Sequence, residues 1–157
     1  MAKFRGVARR LDKKTHRSLV SAYEGFGSSY EKARSAIEAI QLHFPDRPAV
    51  VVFEPHTFSW RDVAALAWYD KVFEGVARVL ILAPPTRGAE GFAQLSQDEM
   101  VARVRAAGVE AVGVASGEAA LADLRASLRG DEVVLLLSSG PLDGLTTTLP
   151  AMLDERF

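Results

Sequence analysis

Continuous apolar runs and helical periodicity take turns along this chain. Ala49-Val50-Val51-Val52-Phe53 and Val133-Val134-Leu135-Leu136-Leu137 are unbroken apolar runs of strand length, and residues 77–82 and 111–114 give two more. A strand that is apolar on both faces is covered on both faces, as in the interior of a parallel sheet. Between the runs, apolar residues recur at helical spacing. In residues 29–44, Ala33, Ile37, Ile40 and Phe44 fall on one face, behind Ser28 and Glu31 at capping-box spacing. Ser96 and Glu99 repeat the box ahead of Met100, Val101 and Val104, in a helix expected to stop at Gly108. A third helix is expected over residues 118–128, ending near Gly130. A last one carries Leu145, Leu149, Met152 and Leu153, with Pro150 as a kink or a first-turn residue. Residues 62–73 give a further helix, with Val63, Leu66, Ala67 and Val72 at its apolar positions.

Strands alternating with helices define βαβ units, and right-handed crossovers then put helices on both faces of the sheet. The start of the chain differs. Residues 4–11 and 19–26 flank the charged stretch Asp12-Lys13-Lys14, which reads as the turn of a hairpin added at one side. The expected fold is α/β: a three-layer, Rossmann-like domain with a mostly parallel sheet, helices on both faces and an N-terminal antiparallel hairpin. Residues 1–157 read as a single domain, without an internal repeat or a dividing linker.

Composition narrows the function classes. The 157 residues carry a net charge of −1, which gives no overall pull toward nucleic acid or membrane. The charge is uneven, however. Lys3, Arg5, Arg9, Arg10, Lys13, Lys14 and Arg17 crowd the start against Asp12 alone. A basic arm can hold phosphate, but no aromatic interleaving accompanies it, and cations also protect a strand edge from pairing. We therefore expect neither nucleic acid nor membrane as a partner. The absence of cysteine excludes disulfides, thiolate nucleophiles and Cys-based zinc sites. No apolar run exceeds strand length, and no signal-peptide pattern follows the basic segment, so a cytoplasmic location is expected.

Ligands of open parallel sheets bind beyond the carboxyl ends of the strands. Three segments there carry chemistry. Glu54-Pro55-His56-Thr57-Phe58-Ser59-Trp60-Arg61 gathers an imidazole, hydroxyls, an indole and a guanidinium in one loop. That mixture suits an anionic or amino-acid-like ligand. Equally, Thr57 and Ser59 can cap the next helix while Trp60 packs. Ser138-Ser139-Gly140-Pro141-Leu142-Asp143-Gly144 offers small residues at a helix start, which serve an anion or merely a strand-to-helix turn. Tyr23-Glu24-Gly25-Phe26-Gly27-Ser28-Ser29 has two glycines that permit close approach of a ligand, but no phosphate-loop motif. His16, His43 and His56 do not form a metal cluster by spacing. No catalytic residue can be assigned.

Taken in order, these segments resemble the Mur ligases, the ATP-dependent amide ligases of peptidoglycan assembly. Phe4-Arg5-Gly6-Val7-Ala8-Arg9-Arg10-Leu11 is similar to the family's F-x-G-V-x-R-R stretch, and residues 23–29 stand at its Y-[DE]-D-[FY]-[AG]-H-x-P turn. Residues 53–59 resemble F-x-P-H-T-[FY]-[ST], Gly88-Ala89-Glu90-Gly91 resembles the segment before the following helix, and residues 138–144 resemble S-N-G-G-F-x-G. The nearest branches are the UDP-N-acetylmuramate ligases: the L-alanine-adding enzyme and the murein-tripeptide recycling ligase, with the chain's ending and its Tyr-Glu pair favouring the latter. The resemblance implies the C-terminal domain of such a ligase, with residues 1–17 forming the inter-domain junction and first strand. Its partners would be a central P-loop domain, an N-terminal UDP-sugar domain and a small-molecule or peptide substrate. ATP and Mg2+ would serve the parent enzyme without binding tightly here, and this chain alone, lacking a P-loop, would be inactive. On the substrate side the resemblance implies His56, Thr57, Ser59, Arg61, Ser138, Ser139 and Gly140. On the nucleotide side it implies Tyr23, Gly25, Phe26 and Ser28. The sequence departs from the family at Gly25, where the ribose-contacting aspartate would stand, at Ser28 and Tyr30 in place of His and Pro, and at Trp60, which shifts the family's arginine to Arg61. These departures leave a second expectation, a degenerate module that binds a ligand or protein without catalysis.

Overall fold

The computed structural model describes residues 11–15, 18–55, 58–83, 95–137 and 142–157. The expected strand over residues 4–10 and the motif residues His56, Thr57, Gly88, Ala89, Glu90, Gly91, Ser138, Ser139 and Gly140 lie outside them. Six strands form one sheet: β1 (Leu11–Lys13), β2 (Ser21–Gly25), β3 (Ala49–Phe53), β4 (Arg78–Leu82), β5 (Glu110–Val114) and β6 (Val133–Leu137). Their order is β1-β2-β6-β3-β4-β5, with β1 antiparallel to β2 and every other pairing parallel. The expected α/β architecture is therefore the observed one.

The connections explain the three layers. The chain steps from β2 to β3, β4 and β5 in one direction across the sheet, through α1 (Tyr30–His43), a one-turn α2 (Phe58–Arg61) with a 3-10 helix (Val63–Asp70), and α3 (Gln97–Ala106). These elements share one face, packed with Tyr23, Val51, Phe53, Val79, Ile81, Leu135 and Leu137. Right-handed crossovers in one direction must all lie on one side. The return from β5 to β6 reverses direction, so α4 (Gly117–Ser127) lies on the other face. There α5 (Leu145–Arg156) joins it over Val50, Val52, Leu80, Val134 and Leu136. Successive residues of β6 thus serve opposite cores, which is why its run is apolar throughout. Around Phe53 the rings of Trp60, Phe73 and Tyr69 stand edge-on at centroid distances of 4.9, 5.4 and 6.2 Å. Such packing adds about 0.5–1.5 kcal/mol per pair beyond the buried area.

Several local expectations need correction. Asp12 and Lys13 belong to strand β1, opposite Glu24 and Tyr23, so the hairpin turns later. Lys14 closes the pairing through its N–H to Ala22 O (2.8 Å) and its ammonium to Glu24 (3.1 Å), while the buried Thr15 hydroxyl accepts the Ala22 N–H. The N-cap of α1 is Ser29, which accepts from Lys32 N; Ser28 and Glu31 do not form the box, because the helix starts one residue later. The box at Ser96 and Glu99 is present, and Gly108 (φ 93°) follows the end of α3. Pro150 sits in the second turn of α5 rather than its first. Residues 62–73 are not one α-helix but largely a 3-10 coil, with Ala65 N bonded to Asp62 O and Lys71 N to Trp68 O. At its two ends Leu95 N–H donates to Arg61 O and Arg103 pairs with Asp70.

One buried carboxylate organises the approach to β6. Glu132 accepts the N–H groups of Arg129 and Gly130 at 2.9–3.0 Å. Burial alone would raise its pKa, but these donors outweigh burial and hold it below the usual glutamate range. A lowered folded value means that the contribution to stability is complete above the unfolded value of about 4.3 and is lost as pH falls from there through the folded value. Glu132→Gln should therefore cost about 1–3 kcal/mol at neutral pH. The gap from the parent chain should narrow below about pH 4. Denaturant unfolding across a pH series checks it; a gap that widens in acid contradicts the assignment.

Candidate functional site

The register brings the three motif segments together. Gly25, Leu137 and Phe53 are neighbours across β2, β6 and β3, so the segments that follow them leave from adjacent strand ends. The chain turns toward the α1 face after β2 and β3 and toward the α5 face after β6. Loops that part in opposite directions open a crevice above the strand between them, the usual ligand position in such sheets. In this sheet the strand so placed is β6.

The loop after β2 is pinned from below. A Cβ on Gly27 would stand 2.8 Å from Leu137 Cγ, so only glycine lets the chain pass so close to the end of β6. The Gly27 carbonyl accepts the indole N–H of Trp60 at 2.6 Å, a bridge from the loop after β3. Trp60 is fully buried, and its own carbonyl accepts the Tyr69 hydroxyl at 2.8 Å. Burial drives the Tyr69 pKa far up, so that hydroxyl stays a donor. Of the nucleotide-side residues, Gly25 ends β2 without a side chain to offer, Phe26 is 56% exposed just beyond it, and Ser28 lies in the same loop. Tyr23 lies deeper. Its side chain is in the α1-side core, its ring 5.7 Å from that of Phe44, and burial raises its pKa against the opposing pull of Arg47.

On the substrate side, Ser59 lies within the helical turn α2, one residue past its start, so it is not an N-cap. Arg61 ends that turn and is only 7% exposed, beside the chain segment that Leu95 N holds through Arg61 O (2.8 Å). The competing reading of Trp60 as a packing residue holds. The turn after β6 joins the same unit from the other side: Leu142 N donates to Glu54 Oε1 at 3.1 Å, and Asp143 Oδ2 accepts the N–H of Gly117 at 2.7 Å. Glu54, Leu142 and Asp143 did not figure among the expected site residues. The one available signal was Asp143-Gly144, a pair suited to left-handed turns.

Among the described residues no group of three or more His, Asp or Glu side chains could hold a metal ion, and no helix is long and apolar enough to cross a membrane. A cleft of about 450 Å3 opens at the opposite, amino ends of the strands, lined by Phe73, Glu74, Gly75 and Val109 among others. Asp70 on its rim is held ionised by hydrogen bonding to Arg103, which marks an ion pair rather than an acid–base residue.

The fold and this edge define a doubly wound α/β domain with three polar segments leaving adjacent strand ends. Comparison with known proteins gives its relatives. No protein-family model matches the chain. It is 28% identical over 141 residues to the UDP-N-acetylmuramate–L-alanine ligase of Nitratidesulfovibrio vulgaris, covering 89% of this chain and 31% of that enzyme. In fold it resembles the murein peptide ligase of Psychrobacter arcticus, with a TM-score of 0.73 at 9% identity over 94% of this chain and 30% of that one. It also resembles a single domain assigned to a UDP-N-acetylmuramate:L-alanyl-gamma-D-glutamyl-medo-diaminopimelate ligase of Haemophilus ducreyi, with a TM-score of 0.69 at 14% identity, covering 92% and 99% of the two chains. The chain is thus similar to Mur ligases in sequence and in fold, and it spans about a third of the length of the curated relatives it matches.

The Trp60–Gly27 bridge and the Gly27–Leu137 contact should be separable by mutation. Trp60→Phe leaves a buried carbonyl without its donor and should cost about 1–3 kcal/mol. Gly27→Ala forces Leu137 aside and should cost about 1–3 kcal/mol by overpacking. Urea unfolding midpoints decide; an unchanged midpoint for Gly27→Ala would mean that the loop is not pressed on β6.

Proposed function

We propose that this chain is the C-terminal domain of an ATP-dependent ligase that joins an amino acid or peptide to UDP-N-acetylmuramate. The observation that carries the reading is the adjacency of Gly25, Leu137 and Phe53: motifs scattered over more than a hundred residues of sequence converge on one crevice. The matched relatives bear ligase names and are about three times longer, which fits a domain that works with others. The partners would be a central P-loop domain and an N-terminal UDP-sugar domain. In the reaction implied by the resemblance, a substrate carboxylate is phosphorylated and the acyl phosphate is attacked by an amine. This chain's part would be to orient the incoming amine-bearing substrate and exclude water, through His56, Thr57, Ser59 and Arg61 on one loop and Ser138, Ser139 and Gly140 on another.

The described residues fit ATP only in part. Gly25 brings no carboxylate to a ribose, and the carboxylates nearest the crevice, Glu54 and Asp143, already accept backbone N–H groups. Phe26 does expose a ring at the crevice that a planar base could cover. The phosphates and Mg2+ would therefore rest on the P-loop domain, and no step is assigned to them here. Tyr30 supports the alignment at its other departure. It is the first residue of α1, the position where proline is tolerated because its missing N–H has no partner in the helix.

The same departures favour a second reading: a module that has lost catalysis and keeps a ligand or protein partner. The two readings are separated by assaying the full-length gene product with UDP-N-acetylmuramate, ATP and either L-alanine or a murein tripeptide. A ligase releases ADP only when sugar nucleotide and amine are both present, and deletion of this region abolishes release. A gene without an upstream P-loop, together with binding of a muropeptide or nucleotide by the chain alone, would favour the second reading. The amine that supports release identifies the branch.

A further inference from the structure

The turn between β6 and α5 has an uncommon backbone. Leu142 (φ 50°), Asp143 (φ 51°) and Gly144 (φ 84°) are left-handed in succession. Glycine adopts this form freely and aspartate tolerates it, but leucine is strained there, because its Cβ crowds the following carbonyl. Such a conformation persists only where surrounding contacts over-determine it. Three contacts do so. The Leu142 side chain is buried in the α5-side core. Its N–H is held by the Glu54 carboxylate, from the loop after β3. The next residue, Asp143, is tied to the first residue of α4 through the Gly117 N–H. The fit at that point leaves no room: a Cβ on Gly117 would stand 2.7 Å from Asp143 O and 3.1 Å from Asp143 Cβ.

Neither carboxylate lies within the apolar cores, and both stand at the carboxyl edge of the sheet. Glu54 is two residues before His56, and Leu142 is two residues after Gly140. Two residues span at most about 7 Å. A bond between Glu54 and Leu142 therefore couples the two substrate-side loops within a short distance of the motif residues.

We infer that Glu54 and Asp143 are positioning residues: their carboxylates hold the β6–α5 turn in its left-handed form and thereby set the two substrate-side loops relative to each other and to α4. The geometric half of this stands on the structure alone; the kinetic half rests on the proposed ligase function. In this arrangement the turn is a single unit held from two sides. Removing either carboxylate lets Leu142 relax toward an unstrained backbone. Glutamine at 54 and asparagine at 143 keep an acceptor oxygen, and asparagine also tolerates the left-handed form.

Two measurements test this. Amide hydrogen exchange on this chain should show Leu142 exchanging at least about tenfold faster in Glu54→Ala, with Val51 and Leu135 in the sheet unchanged and protection recovered in Glu54→Gln. In the full-length ligase, Glu54→Ala and Asp143→Ala should each lower kcat by about ten- to a hundredfold with little change in the KM for ATP. The double variant should be no worse than the worse single, as expected of groups acting as one unit. Glu54→Gln and Asp143→Asn should recover most of the loss. Unaltered exchange at Leu142 in Glu54→Ala overturns the tie. Faster exchange with unchanged kinetics, or losses that simply multiply in the double variant, overturns the positioning role. Absence of ligation by the unmutated protein overturns the ligase reading instead, and amide exchange then decides the tie by itself.

Discussion

The structure depends on the insertion of β6 between β2 and β3. It is the last strand of the chain and the third in the sheet, paired in parallel on both sides over all five of its residues. Without it the hairpin of β1 and β2 has no connection to the rest of the sheet, and β3 has an open edge. Parallel pairing of Val133–Leu137 with Ser21–Gly25 and Ala49–Phe53, both distant in sequence, brings no reward until the loops between them have closed. Such a strand must therefore be held by side-chain burial as well as by backbone bonds. Every side chain of β6 is fully buried, with Val133, Leu135 and Leu137 in one core and Val134 and Leu136 in the other. At about 1.5–3 kcal/mol for each large apolar side chain buried, no other strand contributes more per residue to joining the two layers. Its end is equally constrained: Leu137 O receives the Glu54 N–H, and its side chain allows only glycine at position 27.

That constraint is local in composition and non-local in consequence, which decides what could be read from the sequence. The runs at Ala49–Phe53 and Val133–Leu137 declared their strands to the residue, because a strand buried on both faces has no polar position to blur its limits. The helix at Gln97–Ala106 was equally plain, since its box and its glycine mark chemistry that the backbone requires. Errors arose where two residues could serve one role or where no local pattern separates two kinds of coil. Ser28 and Ser29 are both competent caps, and the helix takes the second. Val63–Asp70 carries apolar residues that serve a 3-10 coil as readily as an α-helix. The sheet order, with β6 moved to the middle, is likewise absent from any window of sequence.

The candidate site divides in the same way. The three loops were legible as polar segments after apolar strands, and their ordered resemblance to a family named them together. Tyr23 shows the limit of motif reading. It stands within the motif, yet strand alternation turns it toward α1 while Glu24 points away, and that period of two was present in the sequence. The ties between the loops were not legible. Trp60 to Gly27, Glu54 to Leu142 and Asp143 to Gly117 each join a side chain to a backbone group far away in sequence. A backbone acceptor or donor leaves no residue type to recognise. Leu142 is the extreme case, since leucine is the residue least expected in a left-handed turn.

Among the described residues, the polar groups in these ties hold backbone segments in place. A group that transfers protons needs a pKa near neutrality and a path to the substrate. Here Tyr69 is driven far up by burial while its hydroxyl is committed to Trp60 O, and Asp70 and Glu132 are held ionised by Arg103 and by backbone donors. The carboxylates of Glu54 and Asp143 face backbone N–H groups, which makes them anchors. Under the proposed ligase reading, in which the reaction proceeds through an acyl phosphate, the gain from this domain would lie in placing an amine against an activated carbonyl and keeping water away. Backbone tied on both sides of a central strand would suit that task better than an additional acid or base. A misplacement of about 1 Å can cost as much rate as the loss of a catalytic group. The strain at Leu142 then has a physical reason. A turn forced into one conformation by three independent contacts has few alternatives.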